Sequence, residues 1–280
     1  MSAPVLLLLA QAGTADSPLG SAEAVRDAVQ AERPSLDVRL AYVDRSMPSV
    51  TQTVKRIVRG NHREVIVTAL DLADIPEDPH GATAVAALIK SQFPEVSVVA
   101  ARTFAPEPSL LRTVDQRLRD ALALSRTVEL DALVLSTASV GETRSQAHLA
   151  RLARHWGQHH KLPVVLAAAD GSGPSIAAAV RTLRGQGRRH IAAGSWFVTA
   201  NDQWRAERDT ALAAGVHAVA EPLGAVDDVV RLLLARYAFA AMDLLQFVDD
   251  AAPGEGVIVA DTSGEDVAGD RPRHLSVVGA

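Results

Sequence analysis

Asp44-Arg45-Ser46-Met47-Pro48-Ser49-Val50 returns 126 positions later as Asp170-Gly171-Ser172-Gly173-Pro174-Ser175-Ile176. The register continues without a gap through Val54/Val180, Ile57/Leu183, Arg63/Arg189 and Val65/Ile191. Run backward, it pairs Leu7-Leu8-Leu9 with Leu133-Val134-Leu135. Single matches arise by chance, but a register held from a first strand through a helix to a third strand marks a duplication. The chain reads as one α/β unit written twice.

Working outward, Val5 to Leu9 is a short continuous apolar run, the pattern of a parallel strand covered on both faces. Helical spacing follows over 21–32, strand alternation over 36–43, a helix from Pro48 to Arg59, a strand at Val65–Val67, a helix over 82–92, a strand over 96–99 and a helix over 109–124. The second half repeats the order, with strands at 132–135, 164–166, 191–195 and 216–220 and helices at 145–159, 175–184, 201–213 and 226–247. Alternating strands and helices with short connections predict parallel sheets flanked by helices, with right-handed crossovers. The expected division is a first domain over 1–126, a second over 127–250 and a Gly-, Asp- and Glu-rich disordered tail over 251–280. Pro48 and Pro174 read as first-turn prolines, with Ser46 and Ser172 as N-cap candidates.

Composition narrows the function. Hydrophobic residues make up 48% of the chain but aromatics only 4%, so the interior is aliphatic and no base-stacking platform is evident. A net charge of −5 gives no basic field for nucleic acid. The chain has no cysteine, which excludes disulfides, thiolate metal sites and iron–sulfur clusters and fits a cytoplasmic protein. Ala10-Gln11-Ala12 mimics a signal-cleavage site, but the preceding apolar run is short and no Lys or Arg comes before it, so it reads as a buried strand. No run approaches the roughly 20 apolar residues that span a bilayer. GxGxxG, Walker and GxSxG motifs are absent.

In such sheets ligands bind beyond the carboxyl ends of the strands. The loop after the third strand is the most unusual, with Asp71, Asp74, Glu77, Asp78 and His80 bracketed by Pro76 and Pro79. Carboxylates with an imidazole can hold a divalent metal ion or accept protons; a solvated loop, or helix capping by Asp74 or Asp78, is the plainer reading. His155, His159 and His160 include an i, i+4 pair that can hold metal, but Arg151 and Arg154 beside them argue for an outer, solvated face. His62 and His190 sit at element ends.

These residues resemble a family. Gly13-Thr14-Ala15-Asp16-Ser17 after the first strand is similar to the H-G-S-x-D-P turn of the CbiX-type sirohydrochlorin chelatases, the class II chelatases of cobalamin and sirohaem biosynthesis. Val43-Asp44 with Pro48-Ser49-Val50, Val65 to Leu70 with its long following loop, Phe93-Pro94-Glu95-Val96 and Ala220-Glu221-Pro222-Leu223-Gly224 extend the likeness over about residues 4 to 245, in the long, duplicated form. The resemblance implies two similar chelatase-like α/β domains facing each other across a cleft. It also implies a lyase that inserts Co²⁺ or Fe²⁺ into a tetrapyrrole without ATP. The metal ion is then a substrate, and no tightly bound cofactor is expected.

Carried over residue by residue, the resemblance departs at the histidines. The position of the family's first metal-binding histidine is Ala12, its partner in the second half is Ala138, and the loop from Thr199 to Trp204 has none. His80 lies about three residues late, where Glu77 aligns. The expected centre is His80 with Glu77 as the proton-handling pair and Asp78 as a further metal ligand, while Gly13, Thr14, Arg45 and Ser46 meet the tetrapyrrole carboxylates. The alternative is a catalytically degenerate homologue that binds a tetrapyrrole, a metal or a partner protein without inserting metal.

Overall fold

The computed structural model describes residues 3–12, 21–44, 47–72, 78–102, 107–127, 129–141 and 143–250, the side chains of 245–250 excepted. Eight strands form two four-stranded parallel sheets. The first contains β1 (Val5–Ala10), β2 (Val38–Tyr42), β3 (Glu64–Ala69) and β4 (Ser97–Ala100) in the order β2-β1-β3-β4. The second contains β5 (Ala132–Thr137), β6 (Val164–Ala168), β7 (Ile191–Trp196) and β8 (Ala218–Val219) in the order β6-β5-β7-β8. The central strands β1 and β5 are buried along their whole length, as continuous apolar runs require when helices cover both faces.

The helices are α1 (Ala22–Glu32), α2 (Val50–Arg59), α3 (Ala82–Gln92), α4 (Leu111–Leu124), α5 (Thr143–His160), α6 (Ile176–Gly185), α7 (Asp202–Ala213) and α8 (Asp227–Asp250). Where α2 and α6 begin corrects the sequence reading. Ser49 and Ser175 are the N-caps, their hydroxyls accepting from the N–H groups of Gln52 and Ala178. Pro48 and Pro174 lie one residue ahead of the caps rather than in the first turn. Their carbonyls accept from Tyr42 and Ala168, which extends β2 and β6. Ser172 instead holds a loop, its hydroxyl donating to Asp170 Oδ1 at 2.5 Å and accepting from the Val140 N–H at 3.0 Å.

The packing does not follow the division of the chain at residue 126. Helix α4, which ends the first repeat, lies on β7 and β8, while α8, which ends the second, lies on β3, β4 and α1. The repeats thus exchange their last helices. The inner faces of both sheets share one core, in which Leu6, Leu8 and Ile66 of the first sheet join Leu133, Leu135 and Ala192 of the second through α1, α4, α5 and α8. The outer faces carry separate cores under α2 and α3 and under α6 and α7. Tyr237 of α8 donates to the Pro4 carbonyl at 2.8 Å, and Arg117 of α4 donates to that of Leu223 at 3.0 Å, each pinning an exchanged helix to the other repeat.

Strand register refines the internal repeat. Leu8 stands opposite Leu40 and Thr68, and Leu135 opposite Leu166 and Gly194. Residues of β2 and β3 map onto β6 and β7 at 126 positions, but Leu8 maps onto Leu135, at 127. One residue is therefore missing between the central strand and the next in the second copy. A one-residue slip turns every side chain to the opposite face, so the counterpart of Ala12 is Ser139, not Ala138; Ala138 answers to Gln11.

A candidate cleft at the carboxyl ends of both sheets

The carboxyl ends of the two sheets meet at a cleft whose walls come from both repeats. On one side lie Leu9 to Gln11 at the end of β1, Val43 after β2, Ala69 to Asp71 at the end of β3, and Asp78 and His80 ahead of α3. On the other lie Ala138 after β5, Phe197 to Thr199 after β7, and Asn201. The parallel topology makes this the place for a ligand, because loops that follow the strands all open on one edge.

Short bonds hold the two walls together. The Asp202 N–H donates to the Ala12 carbonyl at 3.0 Å, and Asn201 Nδ2 to Gln11 Oε1 at 3.4 Å. Asn201 is also the N-cap of α7, its Oδ1 accepting from the Trp204 N–H at 2.8 Å. The Ala12 N–H donates to Asp44 Oδ2 at 2.5 Å. The space within the cleft is about 30 Å³, enough for a metal ion or about one water, since a water occupies about 30 Å³ of liquid.

The walls differ in chemistry. The first repeat supplies the carboxylates of Asp71 and Asp78 and the imidazole of His80, and the second an apolar and neutral polar surface of Ala138, Phe197, Val198, Thr199 and Asn201. Asp78 shapes its own loop: Oδ1 accepts from the His80 N–H at 2.9 Å and its carbonyl from the Gly81 N–H at 3.0 Å. Gly81 is the N-cap of α3, so Asp78 orders the turn before the helix instead of capping it. His80 is exposed and Asp78 half-buried. Of the residues singled out from sequence, His80 and Asp78 are therefore brought to one cleft, whereas Glu77, Gly13, Thr14, Arg45 and Ser46 lie outside the described residues.

Asp44 and Asp170, the aspartates that mark the duplication, play matching parts. Asp44 takes the N–H of Ala12, while Asp170 takes the hydroxyl and the N–H of Ser172 and is also bonded by Ser139, the counterpart of Ala12. Burial alone raises the pKa of Asp170, but the hydroxyls of Ser139 and Ser172 and the Ser172 N–H outweigh it and hold the carboxyl below the ordinary value. Nearby, Ser136 donates to Glu207 of α7 at 3.2 Å, and burial pushes the Glu207 carboxyl up. Neither Ser136 nor Ser139 stands out in the sequence as a site residue, because each bonds a carboxylate far along the chain.

No family model matches the sequence, and no curated protein matches it. The fold has solved counterparts. The structure of SirB from Bacillus subtilis with Fe³⁺ superposes with a TM-score of 0.64 at 12% identity, over 88% of this chain and 98% of that one. Sirohydrochlorin chelatase SirB from Bacillus subtilis subspecies spizizenii, in complex with cobalt, gives 0.63 at 12% identity over 86% and 96%. CbiX, the terminal enzyme for biosynthesis of sirohaem in denitrifying bacteria, gives 0.55 at 17% identity over 85% and 99%. Together with the doubled β2-β1-β3-β4 order, these matches show that the chain has the CbiX-type class II chelatase fold.

Proposed function

We propose that the chain is a sirohydrochlorin chelatase-like protein whose cleft presents Co²⁺ or Fe²⁺ to a tetrapyrrole and assists its insertion without ATP. The observation that carries this reading is that His80, Asp71 and Asp78 line one wall together, opposite an uncharged wall bearing Phe197 and Val198. Metal insertion needs a weak ligand set that can release the ion and a base that accepts the pyrrole protons. A neutral imidazole beside carboxylates supplies both. The enclosed volume suits the ion, so the macrocycle lies across the mouth of the cleft, its ring against the apolar wall. Its acetate and propionate groups call for donors, a part assigned to Gly13, Thr14, Arg45 and Ser46, with Glu77 joining His80 in proton transfer. This is a cytoplasmic activity in sirohaem or cobalamin biosynthesis.

One observation favours a second reading. The family's histidine position is Ala12 in the first repeat and, by strand register, Ser139 in the second, so the central turns carry no imidazole. A homologue that binds tetrapyrrole or metal without inserting it fits that replacement. Anaerobic mixing with sirohydrochlorin, followed by addition of Co²⁺ or Fe²⁺, separates the two. Insertion faster than in buffer, and slowed by His80→Ala, supports the chelatase; a spectral shift on binding with no acceleration supports the binding protein.

A further inference from the structure

The helix layer over the second sheet holds a group of ligand-type side chains that has no part in the cleft. Asp115 of α4 is the one buried charged residue among the described residues. A buried carboxylate is costly unless partners surround it, and here they come from the end of α5. Trp156 Nε1 donates to Asp115 Oδ1 at 2.5 Å, and His160 Nε2 lies 2.7 Å from the same oxygen. His159 Nε2 lies 3.9 Å from Asp115 Oδ2. The two imidazole rings stand edge to face, with centroids 5.0 Å apart.

One donor atom from each of Asp115, His159 and His160 lies within 4.8 Å of the others. Bonds of about 2.0–2.2 Å to a common ion set the donors roughly 3–3.5 Å apart. His159 can close that gap, because its side chain is 64% exposed at the helix end. Two neutral imidazoles and a carboxylate suit a borderline divalent ion and leave open positions for water. The Trp156 N–H fixes the carboxylate from behind, the outer-shell hydrogen bond that metal-binding carboxylates use. An ion placed here replaces the direct His160–Asp115 hydrogen bond with two metal bonds, while Oδ1 keeps its bond from Trp156.

We propose that Asp115, His159 and His160 bind a divalent transition-metal ion such as Co²⁺ or Zn²⁺ at a site separate from the cleft, clamping the exchanged helix α4 to α5. In the sequence, these histidines sit beside arginines and read as a solvated face; the carboxylate that completes the set arrives from 44 positions earlier, on a helix of the other repeat.

The test is titration of the tag-free full-length protein with Co²⁺, read by its visible d–d absorption and by calorimetry, in a His80→Ala background that removes the cleft imidazole. Binding of one Co²⁺ equivalent is expected, weakened at least about tenfold by adding His159→Ala. Because His159 is largely exposed, that variant keeps its fold, which circular dichroism verifies. Unchanged stoichiometry and affinity in the double variant, or no Co²⁺ uptake by His80→Ala alone, overturns the proposal.

Discussion

Replacing Gly194 by Ala tests whether α4 and α5 are seated on the second sheet as described. A Cβ at this position of β7 would lie 2.5 Å from Trp156 Cη2 and 2.9 Å from Val114 Cγ1. Both distances are shorter than packed carbons tolerate, so something must move. Trp156 has little room to retreat: its ring is 1% exposed and its Nε1 is held by Asp115 at 2.5 Å. Val114 is fully buried on α4. The extra methyl therefore pushes apart the two helices that cover this face, an overpacking cost of about 1–3 kcal/mol. At about 2–4 °C per kcal/mol for a protein of this size class, the melting temperature falls by roughly 2–12 °C. Gly185, exposed at the end of α6 with open space where its Cβ would be, is the control. Gly185→Ala is expected to leave the melt unchanged or raise it slightly, since Gly in a helix costs about 0.5–1 kcal/mol relative to Ala. The assay is thermal unfolding by circular dichroism, side by side. A Gly194→Ala protein melting with the wild type would refute the exchange of helices as drawn here, because no other element covers that glycine so closely.

The remaining predictions address single interactions. Thr68, the counterpart of Gly194 in the first sheet, is buried with its hydroxyl unpartnered; Thr68→Val is expected to raise stability by about 1 kcal/mol in urea unfolding, because it removes an unsatisfied polar atom at nearly constant volume. Trp156→Phe takes one donor from buried Asp115 and is expected to cost about 1–3 kcal/mol by the same measurement. Ser172→Ala removes two hydrogen-bond roles in the Asp170 loop. Because the folded pKa of Asp170 is lowered, its contribution is present above the unfolded value of about 3.8 and is lost as pH falls through the folded one. The stability deficit of Ser172→Ala measured at pH 7 should therefore shrink below about pH 4, and a deficit independent of pH would contradict the assigned cause. His80→Ala is expected to slow sirohydrochlorin metallation without lowering the melting temperature, since the side chain is exposed.

One wall of the candidate cleft was legible from position alone. The loop after the third strand drew attention through its clustered acids and His80, and parallel topology sends such a loop to the carboxyl edge whatever the side chains do. His80 and Asp78 reach the cleft for that reason. Of its opposite wall only the loop from Thr199 to Trp204 was marked: Asn201 is an ordinary helix cap until its amide reaches Gln11 at 3.4 Å, 190 positions earlier.

The sequence by itself determined the duplicated α/β order, the buried central strands and the approximate helix limits, since each follows from a period of two or 3.6 residues written locally. Three matters belonged to tertiary structure alone. Which sheet α4 and α8 cover is invisible in their amphipathic patterns, because an apolar stripe fits either inner face of a shared core. The residue missing between β5 and β6 leaves the leucine runs of β1 and β5 looking aligned, and only cross-strand pairing shows that Ser139, not Ala138, answers to Ala12. Asp115 reads as one polar residue on a helix, and becomes the centre of a cluster only because the exchanged helix carries it to Trp156, His159 and His160. Periodicity specifies what a segment buries, while the identity of its partner is set by packing between segments far apart in the chain.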